Sequence, residues 1–137
     1  MSQKLTEPQK MWLSALRSDE FKQTDGRLQD ENGFCCLGVS CIVYERTMGK
    51  KLRRQNGVLI GTVLNNHPLD AYTSNSEATY KEVGEWLGLR SVCGTAKGSP
   101  SDDIVLMSCT DLNDVSEMRF PEIADHLEKY AEYYFTN

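Results

Sequence analysis

The run Asn32-Gly33-Phe34-Cys35-Cys36-Leu37-Gly38-Val39-Ser40-Cys41 places three cysteines within seven residues, directly after an Asn-Gly turn signal. A metal site, a reactive thiol and a tightly packed core could each use such a cluster. From Cys36 to Met48 the positions Leu37, Cys41, Tyr44 and Met48 follow i, i+4, i+7 and i+11, and Cys36, Val39 and Val43 fill the adjacent stripe. That spacing predicts one buried helix over Cys36–Met48. Gly49 suits the left-handed residue that ends a helix, and the basic residues beyond it suit the negative end of the dipole. Gly38 costs about 1 kcal/mol relative to alanine inside a helix. Its presence points to another segment pressed against the backbone, or, as the second reading, to a ligand there.

The chemical readings of the cluster make further demands. Structural zinc sites use paired ligands a few residues apart, whereas Cys36 and Cys41 on a helix point about 140° apart. Cys93, Cys109, His67 and His126 are isolated in the sequence and supply no second pair, so no metal is expected. A thiol at a helix N-terminus has its thiolate stabilised by backbone N–H groups, which makes Cys35 and Cys36 the candidate nucleophiles. Catalysis would also need a base. Periodicity puts His126 on the solvent face of the last helix, which leaves His67 as the candidate. Buried cysteine more often serves as a small apolar side chain, and the packed-core reading is the one adopted.

Working outward, Thr6-Glu7-Pro8-Gln9 reads as a capping box with proline in the first helical turn. Trp12, Leu13, Ala15 and Leu16 give that helix an apolar face, and it should stop near Ser18. A short hairpin is expected around the turn at Asp30–Gly33, with Gly26–Gln29 against Phe34. Val58–Leu64 has the composition of a short strand, and Asn65–Pro68 that of a loop. Ser76 can cap a third helix with Tyr80, Val83 and Leu87 inward, Trp86 roofing the core from the side and Gly88 as its stop. Gly94–Asp103 is loop-like, Ile104-Val105-Leu106-Met107 reads as a strand, and Asp111–Met118 as a connection. Pro121 begins the last helix, whose inner face is Phe120, Ile123, Ala124, Leu127, Ala131 and Tyr134.

The 137 residues carry a net charge of −5, with 39% hydrophobic and 26% charged residues. This balance fits one globular domain and argues against wholesale disorder. From Ser101 to Asn137 nine acidic residues stand against Arg119 and Lys129, a field that repels phosphate backbones and disfavours general nucleic-acid binding. No apolar run is long enough to span a bilayer, and the first residues lack the apolar core of a secretory signal, so a cytoplasmic location is expected. In that compartment five cysteines should remain thiols, and an odd number excludes complete internal pairing.

Two further groups are candidate ligand contacts. Lys50, Lys51, Arg53 and Arg54 could grip a phosphate or an acidic partner, although such runs are commonly solvated loops. Asn113 and Asp114 could contact a ligand, or satisfy backbone groups in their own connection. Gly94-Thr95-Ala96-Lys97-Gly98 lacks the spacing of a phosphate-binding loop, and no cofactor is expected.

The segments Gly26–Cys41 ("GRLQDENGFCCLGVSC"), Glu85–Leu89 ("EWLGL") and Asp111–Glu128 ("DLNDVSEMRFPEIADHLE") together resemble a family of small uncharacterised proteins of bacteriophages and bacterial genomes. The likeness rests on Phe34, Cys35, Cys36, Leu37, Gly38, Val39 and Cys41, and on Leu112, Asn113, Asp114, Phe120, Ile123, Ala124 and Asp125. It implies that the cysteine segment and the Leu-Asn-Asp turn belong to one scaffold, and that the protein is a phage accessory factor. The expectation is therefore a single α+β domain over residues 1–137, mostly helical with about four helices and a short hairpin or small antiparallel sheet. Its function is expected to be non-enzymatic binding of a small metabolite or a host protein, the alternative being a cysteine-dependent enzyme using Cys35 or Cys36.

Overall fold

A computed structural model describes residues 4–24, 28–50, 52, 54–55, 58–59, 82–91 and 93–137. Helix α1 spans Glu7–Arg17, opened by the expected capping box: the Thr6 hydroxyl accepts from the Gln9 N–H, and the Gln9 amide oxygen accepts from the Thr6 N–H. It ends at Ser18. Strands β1 (Gln29–Asp30) and β2 (Gly33–Phe34) form an antiparallel hairpin with Gln29 opposite Phe34. Helix α2 spans Cys36–Met48, as the periodicity predicts, and ends at Gly49 with φ +68°. Strands β3 (Arg54–Gln55) and β4 (Val58–Leu59) pair antiparallel. Residues 82–87 form helix α3, followed by α4 (Cys109–Asp114), α5 (Phe120–Lys129) and α6 (Ala131–Tyr134). The architecture is a mostly helical α+β fold.

Helix α2 lies at the centre. Cys35 through Cys41, together with Val43 and Tyr44, are buried, so the helix is covered on all sides over its first two turns. Trp12 of α1, itself fully buried, donates its indole N–H to the Cys36 carbonyl at 2.9 Å and packs edge-on against Phe135. One side chain therefore ties the first helix to the second and to the C-terminal segment. Helix α5 lies along α1 with Ile123, Ala124 and Leu127 fully buried. Outside this contact Arg17 bridges Asp125 and Glu128 at 2.9 and 2.6 Å, an exposed cluster that contributes little beyond orientation.

Gly38 shows why its position tolerates no side chain. An ideal Cβ there would fall 1.7 Å from the Leu28 carbonyl oxygen, and that same oxygen accepts the Cys35 N–H at 3.3 Å. The neighbour is thus the chain entering the hairpin, and the close-approach reading of Gly38 holds.

Several expectations are corrected. Ile104–Met107 forms no strand: it lies between two attachments to α6, no strand runs beside it among the described residues, and inward packing of Leu106 and Met107 holds it. The connection from Asp111 contains helix α4, capped by the Ser108 hydroxyl accepting from the Asp111 N–H at 3.2 Å. The last helix breaks at Tyr130, which turns Ala131, Tyr134 and Phe135 into the core. With these two additions, six helices stand among the described residues where about four were expected. Met48 is 46% exposed because the final turn of α2 runs past its neighbours. In the third helix Val83 and Leu87 are fully buried and Trp86 packs edge-on against Tyr44 at 5.3 Å. The readings of Gly26, residues 60–64, Asn65–Pro68, Ser76 and Tyr80 lie outside the described residues.

Candidate functional site

The N-terminus of α2 gathers most of the chemically interesting side chains. Cys35 occupies the cap position without capping any N–H through its side chain. The cap comes from elsewhere: the Asn113 Oδ1 accepts the Cys36 N–H at 3.2 Å and the Gln23 Nε2 at 2.9 Å. On its other side the Asn113 amide donates to the Thr24 carbonyl and to Asp114 Oδ1, both at 2.8 Å. Gln23 in turn donates to the Met118 carbonyl at 2.7 Å and accepts the Phe120 N–H at 3.1 Å. Two side-chain amides therefore join the 21–24 segment, the start of α2 and the α4–α5 connection. Asn113 satisfies backbone groups, as one reading held, but those groups belong to distant segments rather than its own connection.

The thiols are placed differently from reactive nucleophiles. All five cysteines are buried thiols outside any disulfide. Burial pushes Cys35 up to about 12, aided by Asp114 nearby and opposed by the N–H groups of Gly38, Leu37 and Cys35 that face its sulfur. The helix terminus acts as expected on this thiolate, but desolvation outweighs it. Cys36, also raised by burial and by the neighbouring Cys109 and Cys35, donates to the Cys109 carbonyl at 3.4 Å. Cys109 is raised by burial as well. At neutral pH these groups are protonated and apolar in character. Among the described residues no group of three His, Cys, Asp or Glu could hold a metal ion.

The histidines do not meet these thiols within the described residues. His67 lies outside those residues. His126, expected on the solvent face, is half-buried: its Nε2 lies 3.0 Å from the Tyr134 hydroxyl, and its ring contacts Tyr130 and Tyr134. The break at Tyr130 brings Tyr134 against it. Since the Tyr134 hydroxyl donates to the Met107 carbonyl at 2.5 Å, the imidazole must supply the proton between them, which selects the Nε2–H tautomer. Burial, and then Lys129, lower its pKa.

The two candidate ligand groups do not converge. Lys50 is exposed beyond the C-terminus of α2, 3.8 Å from Glu82. Asn113 caps the opposite end, about 20 Å away by the rise of a 13-residue helix. Arg54 lies in β3, its side chain outside the description, as are Lys51 and Arg53. Sequence reasoning missed Gln23 and the buried Gln9, whose amide donates to the Leu87 carbonyl at 2.7 Å and to Asn137 Oδ1 at 2.8 Å. Only the capping-box role of Gln9 was legible locally.

No helix of the described residues is long and apolar enough to cross a membrane. A family model described as Domain of unknown function (DUF8296) matches residues 1–131. No curated protein and no solved structure matches the chain.

Proposed function

The chain belongs to that family, and we propose that it is a non-enzymatic binding module, a phage-type accessory protein that engages a host protein in the host cytoplasm. The observation that carries this reading is the sealing of Cys35 and Cys36. The residues with the best claim to covalent chemistry are buried and held protonated, and each is built into the packing of α2. A buried, satisfied scaffold presenting exposed loops suits recognition by contact. A host protein is preferred to a small metabolite because the exposed apolar residues Val105 and Val115 lie on the outer surface, where a macromolecular face can cover them.

Native-state alkylation with iodoacetamide, read per cysteine by mass spectrometry with and without denaturant, tests the reading. Cys35, Cys36 and Cys109 should remain unlabelled until the protein unfolds. Selective labelling of Cys35 or Cys36 in the native state, faster than a free thiol, would instead establish the cysteine-dependent alternative.

A further inference from the structure

The stretch Ile104-Val105-Leu106-Met107 has strand composition but finds no strand partner among the described residues. Its setting is well defined. The loop from Lys97 to Met107 is fastened at both feet to consecutive residues of α6: the Lys97 N–H donates to the Tyr133 carbonyl at 2.8 Å, and the Tyr134 hydroxyl donates to the Met107 carbonyl at 2.5 Å. After a turn closed by the Ile104 N–H on the Ser101 carbonyl at 3.2 Å, the chain runs without turn or bend to Ser108. Leu106 and Met107 pack inward, while Val105 is 86% exposed. The backbones of Val105 and Leu106 make no hydrogen bond among the described residues.

We propose that Ile104–Met107 is a docking strand that pairs with a basic β-strand of a partner protein, an inference that rests on the binding-module reading above. A straight segment with an exposed residue at its centre, central backbone groups that bond to nothing among the described residues, and β-branched side chains is suited to strand addition, in which main-chain bonds supply affinity and alternate side chains supply specificity. Charge selects the partner. Asp102 and Asp103 immediately precede the segment and are exposed. The contact of the Ser116 hydroxyl with the Met107 sulfur at 2.9 Å brings the exposed Val115 and Glu117 beside the loop's foot. The same acidic segment of a second copy would meet like charge, whereas a strand bearing lysine or arginine meets its complement.

The full-length protein should be titrated with a fluorescein-labelled octapeptide of alternating lysine and valine, with an alternating glutamate–valine peptide as control. Binding should move the amide resonances of residues 104–107, favour the basic peptide and weaken with salt. Val105→Pro removes an N–H that bonds to nothing among the described residues, so the fold should persist while affinity falls roughly tenfold or more. Val105→Asn, which keeps the N–H and adds no charge but removes the apolar contact, provides a second comparison should the proline variant misfold. The proposal is overturned if both variants bind as the parent does, if the acidic peptide binds as well, or if neither peptide binds. It is also overturned if the protein self-associates through this segment and V105P abolishes the dimer. Any of those results with the thiols still sealed removes only the docking strand; rapid native labelling of Cys35 or Cys36 removes the binding-module reading itself.

Discussion

The carbonyl oxygen of Leu28 occupies the space in which a side chain at Gly38 would begin, 1.7 Å from an ideal Cβ. Two effects oppose one another at this position. Alanine would favour the helix by about 1 kcal/mol, but it would drive a methyl group into backbone that is itself bonded to Cys35. Steric cost wins: Gly38→Ala should destabilise the protein by about 3 kcal/mol or more, since overpacking against backbone cannot be relieved by a rotamer change. Urea denaturation would measure it, and a stabilised variant would show that the hairpin entrance yields freely.

Asn113 and Gln23 should behave as a coupled pair. Asn113→Ala leaves the Cys36 N–H and the Thr24 carbonyl without their partner, and a loss of about 2–3 kcal/mol is expected from such unsatisfied groups. Because the Gln23 amide shares the same oxygen, the double variant with Gln23→Ala should be less destabilised than the sum of the singles. A double-mutant cycle by chemical denaturation reads the coupling, expected at about 1 kcal/mol; strict additivity would show that the amides act independently.

Burial lowers the pKa of His126, with Lys129 adding to the shift. The folded state therefore binds this proton less readily than the unfolded chain. Its contribution to stability is complete above the ordinary value of 6.5 and is lost as pH falls below it, until the folded imidazole also protonates. The difference in urea midpoint between the parent and His126→Gln should accordingly shift against the parent between pH 7.5 and 5.5. An unchanged difference would place the histidine in solvent.

Glu117 adopts φ +55° in the turn that returns the Met118 N–H to the Leu112 carbonyl. A left-handed conformation costs a non-glycine residue about 1–2 kcal/mol, more than glycine's extra entropy of about 0.5–1 kcal/mol. Glu117→Gly should thus raise stability by about 0.5–1 kcal/mol, while Glu117→Val should lower it. Thermal unfolding of the two variants checks the opposite signs.

Much of the framework was legible because its signals are local. The capping box at Thr6–Gln9, the bounds of α2, the stop at Gly49 and the inner face Phe120, Ile123, Ala124, Leu127 depend on residues within a few turns of one another. Helix α4 was hidden, since six residues with only Ser108 as cap and Leu112 as an apolar anchor give no period to read. The candidate site was legible in its residues and not in its arrangement. Cys35, Cys36 and Asn113 stand out in sequence, yet the separation of Asn113 from Lys50 by the length of α2 does not.

Local signals in the sequence were enough to place α1, α2 and the start of α5, the turn before β2, and the need for a close neighbour at the glycine inside α2. Long-range packing alone identifies that neighbour as the Leu28 carbonyl and makes a thiol at a helix N-terminus neutral. Capping and periodicity act over one or two turns, whereas desolvation depends on every segment that closes over a group. Leu28, Asn113 and Cys109 reach the start of α2 from distant parts of the chain, and burial there outweighs the local field of the helix. Strand propensity at Ile104–Met107 was equally real in sequence; whether a partner strand lies alongside is settled by packing at long range.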